Sequence, residues 1–298
     1  MKKKILAALA VVPLVALLAG CAAAAGGGST TADGADTVVK IGVVNAGDAY
    51  WADYTKAAAD EGITVKIVSF ADYPQPNPAL TEGEIDLNQF QHIVYLADYN
   101  VSAKQDLTPI GSTAIYPLGL YSTKVKDVAE IKKGDTVAVP NDNSNQARAL
   151  LILQSAKLIT LKSGGSIFSD LTDIDTAKSK VDVKALEASL IPTSLPDVAA
   201  AVINNDFVAN AGLSLDDAIA KDDPSDPNAL PYVNVFAARA EDKDNKTYQK
   251  LVEIYQNTKA VQDGVLKVSG GTAVLLKTPV ADLEASLGKV EKDTAAQK

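Results

Sequence analysis

From Val38 onward the apolar positions keep two alternating rhythms: short β-like runs, and longer stretches in which apolar residues recur at helical spacing. VVKIGVVN (38–45) reads as a strand and AYWADYTKAAADEG (49–62) as a helix ending at Gly62. Further strands are predicted at ITVKIVSF (63–70), EIDLNQF (84–90), LTPIGSTAIYPLGLYS (107–122), DTVAVPN (135–141), VDVKALEA (181–188), DFVANAG (206–212) and YVNVFAARAED (232–242). Helices are expected between them, near 92–104, 125–132, 145–156, 195–204 and 247–257. This alternation predicts an α/β fold with mainly parallel strands. Segments 107–122 and 231–239 are long for one sheet position, so each is expected to pass from one domain into the other. Residues 38–116 plus 235–274 then form one discontinuous domain, and 117–234 form the second. Two crossings make a hinge, and a hinge makes a cleft of the kind that takes small ligands. The tract KDDPSDPNALP (221–231) reads as a solvated loop.

The first twenty residues follow another rule. MKKK is a basic flank and ILAALAVVPLVALL a short apolar run leading into LAGC, which together read as an export leader over 1–20. Leu18-Ala19-Gly20-Cys21 resembles a bacterial lipobox, in which the leader is cut before the cysteine and that cysteine is acylated. Cys21 is the single cysteine, so a disulfide within the chain is excluded. Residues 21–37, rich in Ala, Gly, Ser and Thr without apolar period, read as a flexible linker. Loss of 1–20 removes Lys2, Lys3 and Lys4 and takes the net charge from −9 to −12. An acidic surface of that kind argues against nucleic acid as a partner.

Motifs of the common enzyme classes are absent: no G-x-G-x-x-G, no P-loop, no H-E-x-x-H and no G-x-S-x-G. One histidine and one cysteine cannot build a usual zinc site, so neither metal nor cofactor is expected. A hydrolase would have to rely on His92, with no serine motif beside it. Instead, polar and aromatic residues gather at predicted strand ends. Tyr73 and Asn77 lie in FADYPQPNPAL, Phe90 and His92 in NQFQHIVYL with Tyr95 three residues on, and Tyr116 in the first crossing strand. Asn141, Asn145 and Arg148 stand at the mouth of the helix in VPNDNSNQARALLILQ, and Asn204 lies in AAVINNDF. A helix N-terminus with surplus polar groups and an arginine suits an anion such as a carboxylate. The aromatics suit an apolar side chain.

These blocks carry a resemblance. KIGVV, FADYPQPNPAL, EIDLNQFQHIVYL, IYPLGLYS, VAVPNDNSNQARALLILQ, KALEASLIPTSLPDVAAAVINNDFVANAGL and YVNVFAARAED, in this order from Lys40 to Asp242, resemble the NlpA-type methionine-binding lipoproteins, substrate-binding subunits of bacterial methionine ABC importers. The resemblance implies a two-domain, periplasmic-binding-protein-like (type II) fold with a two-strand hinge, closing over one amino acid. It implies a non-enzymatic protein, anchored through Cys21 on the extracytoplasmic face of a membrane, that delivers its ligand to an ABC permease. Another apolar amino acid or a methionyl dipeptide is the alternative ligand. Carried over, Arg148 and Asn145 meet the ligand carboxylate, Asn204 meets the amino group or carboxylate, and Tyr73, Phe90, His92 and Tyr116 wall the side chain, with Asn141 and Tyr95 beside them. Asn143 and Ala149 depart from the Pro and Ser usual in the family. The extension 275–298 runs past the usual family end and reads as a polar amphipathic helix or an unstructured tail.

Overall fold

The strands follow the apolar runs in chain order: β1 (Val38–Val43), β2 (Thr64–Ser69), β3 (Leu87–His92), β4 (Thr108–Ser112), β5 (Ala114–Ile115), β6 (Gly119–Tyr121), β7 (Thr136–Pro140), β8 (Asp182–Leu186), β9 (Ala200–Ile203), β10 (Ala220–Lys221), β11 (Asn234–Ala238) and β12 (Val274–Leu275). This computed structural model describes residues 38–226 and 229–297. The leader, the linker and the Cys21 anchor lie outside the described residues. One five-stranded sheet has the order β2-β1-β3-β11-β4 and another β10-β6-β9-β7-β8, while β12 and β5 form a two-stranded sheet. In the first sheet β1, β2 and β3 are parallel and β11 runs antiparallel to β3 and β4. In the second, β7 is parallel to β8 and β9, with β6 and β10 antiparallel at one edge.

The central strands β3 and β9 are buried on both faces, as a crossover topology requires, while the edge strands β2 and β8 are partly exposed. The two-residue period of β11 shows how one strand serves two cores: Phe236 and Ala238 enter one cluster, Val235 and Ala237 the other. The first cluster is covered by α1 (Tyr50–Asp60), which turns Tyr50, Trp51, Tyr54 and Ala58 inward at helical spacing. The opposite face carries α2 (Pro76–Thr81) and α3 (Ile93–Ala103). In the second sheet, Val137 and Val139 pack against Leu150 and Leu153 of α4 (Asn143–Ser155). The reverse face meets α5 (Ile191–Ser194) and α6 (Asn205–Val208). The helices α7 (Lys246–Asn257) and α9 (Val280–Ala295) return to β4 of the first sheet, and α8 (Lys259–Val268) packs against α1 and α7. Gly111 lets α7 lie directly on β4, because any Cβ there would overlap Val252.

Several expectations need correction. Segment 195–204 is not a helix: after the short α5 it forms β9, a strand buried on both faces. Four apolar residues without polar alternation do not distinguish a buried strand from a helix turn, and the alanines tilt the reading toward helix. DFVANAG is not a strand but α6 and a further turn that closes at Gly212, whose φ is +70°. At 125–132 only one tight turn forms, Val128–Glu130, capped by Asp127. Segment 107–122 divides into β4, β5 and β6, and the chain crosses between the sheets over Tyr116–Leu118. β11 stays within the first sheet, and the return crossing lies between β10 and β11. Pro231, in a tight turn over Leu230–Tyr232, keeps that strand from starting earlier. Of the two forms expected for 275–298, the structure has the helix, α9, with Leu283, Leu287 and Val290 buried.

Candidate functional site

The carboxyl ends of β2, β3, β7 and β9 converge between the two sheets, and each is followed by one of the polar blocks. They line a tight chamber, with a cavity volume of about 20 Å³, formed by Tyr73, Phe90, Gln91, His92, Tyr95, Tyr116, Leu118, Asn145, Arg148, Asn204, Asn205 and Asn234. All the residues singled out from the sequence meet there except Asn141 and Asn77. Asn141 is exposed and lines a separate outer hollow, so it is not brought to the chamber. Asn77 lies behind the wall, where its amide accepts from Gln91 Nε2 at 2.6 Å and from Asn88 Nδ2 at 2.9 Å. Gln91, Leu118, Asn205 and Asn234 were not legible as site residues. Asn234 stands opposite His92 in the β11–β3 register, a neighbour that only sheet pairing supplies.

One chain of hydrogen bonds fixes the polarity of the site. Asp142 caps α4, accepting the Asn145 amide at 2.9 Å and the Asn145 side-chain Nδ2 at 3.0 and 3.2 Å. The orientation of the Asn145 amide is thereby set, and its Oδ1 faces the chamber. There it accepts from Asn204 Nδ2 at 2.9 Å and meets His92 Nε2 at 3.3 Å. His92 caps α3 with Nδ1, which accepts the Tyr95 amide at 3.2 Å, so the ring proton sits on Nε2 and is donated to Asn145. Burial, with the Arg148 charge beside it, pushes the imidazole down to about 3, so His92 is neutral. Asn204 directs its NH₂ to Asn145, and its Oδ1 is left buried with no partner among the described residues.

Arg148 supplies the positive charge. Its Nε donates to Asp222 Oδ2 at 2.6 Å and its Nη2 to the Tyr116 carbonyl at 2.9 Å, while its Cζ lies 4.4 Å from the centroid of the Tyr232 ring. Among the described residues Nη1 has no hydrogen-bond partner, which leaves its donors for a ligand. The helix mouth itself is occupied differently from expectation. The Asn145 amide in its first turn is taken by the chain's own carboxylate, Asp142, and that negative charge stands at the helix mouth, so an incoming anion would meet Arg148 instead. A mixed aromatic wall stands opposite: the Tyr73 ring packs at 5.9 Å from Phe90, 6.0 Å from Tyr95 and 5.1 Å from Phe207.

The chamber is held shut by contacts between the sheets. Asp206, at the start of α6, accepts Tyr73 Oη at 2.8 Å and Asn45 Nδ2 at 2.8 Å from the other side, and Asn205 Nδ2 at 2.7 Å. Burial outweighs these donors and raises its carboxyl to about 7. A carboxyl whose pKa is higher in the folded than in the unfolded chain binds more protons when folded, so its contribution to stability falls as pH rises between about 4 and 7. Asp206→Asn is expected to flatten the melting profile over that window by about 3 kcal/mol, roughly 6–12 °C. An unchanged slope between pH 4 and pH 7 in thermal melts would show that Asp206 ionises normally.

A polar, aromatic chamber enclosed between two α/β lobes at their strand ends defines a small-molecule-binding protein with the two-domain fold of the periplasmic binding proteins. The chain belongs to the NlpA lipoprotein family, whose model matches residues 39–275. It is 36% identical to a probable D-methionine-binding lipoprotein MetQ of Pasteurella multocida, over 91% of this chain and 98% of that one. Among solved structures, a Staphylococcus aureus protein superposes with a TM-score of 0.80 at 35% identity, covering 85% of this chain and 99% of its own. A nutrient-binding protein of Burkholderia cenocepacia, solved bound to methionine, gives a TM-score of 0.74 at 38% identity, covering 80% and 99%.

Proposed function

We propose that the protein captures a single amino acid, methionine, in the chamber between its lobes and hands it to the permease of an ABC transporter. The observation that carries this reading is the unpartnered Asn204 Oδ1. A buried acceptor without a donor costs about 1–3 kcal/mol, and the bonds running from Asp142 through Asn145 prevent the amide from turning away. A ligand ammonium provides the missing donor. The free edge of Arg148 accepts the carboxylate of the same molecule, and the wall of Tyr73, Phe90 and Tyr95 suits an unbranched apolar side chain. The names of the relatives and the methionine in the Burkholderia structure support methionine within that class.

The lobes that close are residues 38–116 with 235–274, and 117–234, moving about the two crossings. No covalent step is required, and the partners of His92 speak against one: its ring nitrogens face an amide and a carboxamide, with no serine hydroxyl among them. Acylation of Cys21 in LAGC would tether the protein on the extracytoplasmic face of a membrane, within reach of a permease. Mass spectrometry of the small molecule released when freshly purified protein is denatured tests the ligand. Methionine is expected, and lysine, glutamate or a dipeptide in its place would overturn the assignment. His92→Gln is expected to weaken methionine binding by about 1–2 kcal/mol with an unchanged circular-dichroism spectrum, since it alters a wall and one hydrogen bond. Calorimetric titration showing no loss would remove His92 from the site.

A further inference from the structure

The tract Lys221–Pro231 reads from its sequence as a solvated loop, yet Asp222 turns inward, with its side chain 25% exposed against 7% for Arg148. Its Oδ2 accepts from Arg148 Nε at 2.6 Å and its Oδ1 from the Leu118 amide at 2.8 Å. Arg148 in turn gives Nη2 to the Tyr116 carbonyl. Tyr116 and Leu118 belong to one crossing between the lobes, and Asp222 follows β10 at the start of the other. A single ion pair thus ties the guanidinium to both connections. We propose that Asp222 sets the orientation and the net charge of the carboxylate-binding arginine, so that the chamber selects a zwitterionic amino acid over the same molecule lacking its amino group. The inference rests on the reading of the chamber as an amino-acid site.

Orientation follows from the bonds already made. With Nε held by Asp222, Nη2 by Tyr116 and one face on the Tyr232 ring, the Nη1 edge is the one presented to a ligand. Selection follows from charge balance. Arg148 and Asp222 cancel, so a zwitterion enters without changing the net charge, whereas a bare carboxylate brings one uncompensated negative charge into a desolvated space. Asparagine at 222 reverses this: Arg148 is left uncancelled, a bare carboxylate neutralises it, and a zwitterion leaves the surplus positive charge in place. His92 is neutral, and the neighbouring acids Asp142 and Asp206 face Asn145 and Tyr73 instead of the guanidinium. They are common to both proteins and drop out of the comparison.

The test is calorimetric titration of wild type, Asp222→Asn and the exposed-neighbour control Asp223→Asn with methionine and with its des-amino analogue, γ-methylthiobutyrate. Wild type is expected to prefer methionine strongly, and Asp222→Asn to narrow the ratio of affinities by about tenfold or more. Asp223→Asn, which removes the same formal charge, is expected to keep the wild-type ratio. A purely structural role for Asp222 would weaken both ligands by one factor and leave the ratio unchanged, which overturns the proposal; so does an equal narrowing in the control. Wild-type protein that binds neither compound removes the amino-acid reading and the proposal with it. Thermal melts verify folding, and Asp222→Ser, which keeps an acceptor for the Leu118 amide, replaces Asp222→Asn if the latter does not fold.

Discussion

Arg148→Ala is expected to weaken methionine binding by about 2–5 kcal/mol, because it strands a ligand carboxylate in a closed chamber without its counter-charge. The same truncation leaves Asp222 Oδ2 and the Tyr116 carbonyl without the donors they have in the wild type, so the loss extends to the connections between the lobes. Lysine at 148 is expected to restore only part of the affinity. It carries the charge but cannot bond Asp222, Tyr116 and a ligand from one rigid plane. Titration calorimetry on wild type, Arg148→Lys and Arg148→Ala measures the series. Equal binding by all three would mean that the carboxylate is held elsewhere, and a difference below about 0.5 kcal/mol is what an uninvolved residue would show.

Methionine itself is expected to stabilise the fold. A ligand bound only by the native state raises the unfolding free energy by RT ln(1 + [L]/Kd), about 4 kcal/mol at a thousandfold excess over Kd. For a chain of this size that corresponds to a rise in melting temperature of roughly 8–16 °C. Lysine and glutamate are expected to leave the melt unchanged, because their side-chain charges would be desolvated against Tyr73, Phe90 and Tyr95. The measurement is a melt of protein first unfolded and refolded to strip endogenous ligand. A melt that methionine does not shift would refute it as the ligand, whatever the behaviour of Arg148.

Much of the site was legible because its residues stand at strand ends, which the apolar rhythm locates. His92, Asn145, Arg148 and Asn204 could be named from their blocks, and the chamber brings all four together. What the rhythm cannot convey is pairing across long separations. Asp222 meets Arg148 from 74 positions away in a tract whose Asp, Pro and Ser content speaks only of turns. Asn234 owes its place to a strand register, and Gln91 to a fully buried strand, LNQFQH, whose polar residues look exposed by composition. The helix mouth misled for a related reason: nothing local in VPNDNSNQAR tells whether the Asn145 amide waits for a ligand or is already satisfied by Asp142. β9 failed as a prediction because a strand packed on both sides has no polar face to betray its period.

The terminal helix changes how a genetic lesion in this protein would be read. α9 lies beyond the matched family region, yet it packs along α3, and Glu291 Oε1 accepts the Asn100 side chain at 2.7 Å. α3 begins at His92, so the last turns of the chain brace the helix whose cap forms part of the chamber wall. A nonsense codon after Leu275 would spare every chamber residue and still strip the apolar cover from α3 and β4. Its phenotype would be that of a ligand-uptake mutant, mapped to a stretch of sequence that never touches the ligand.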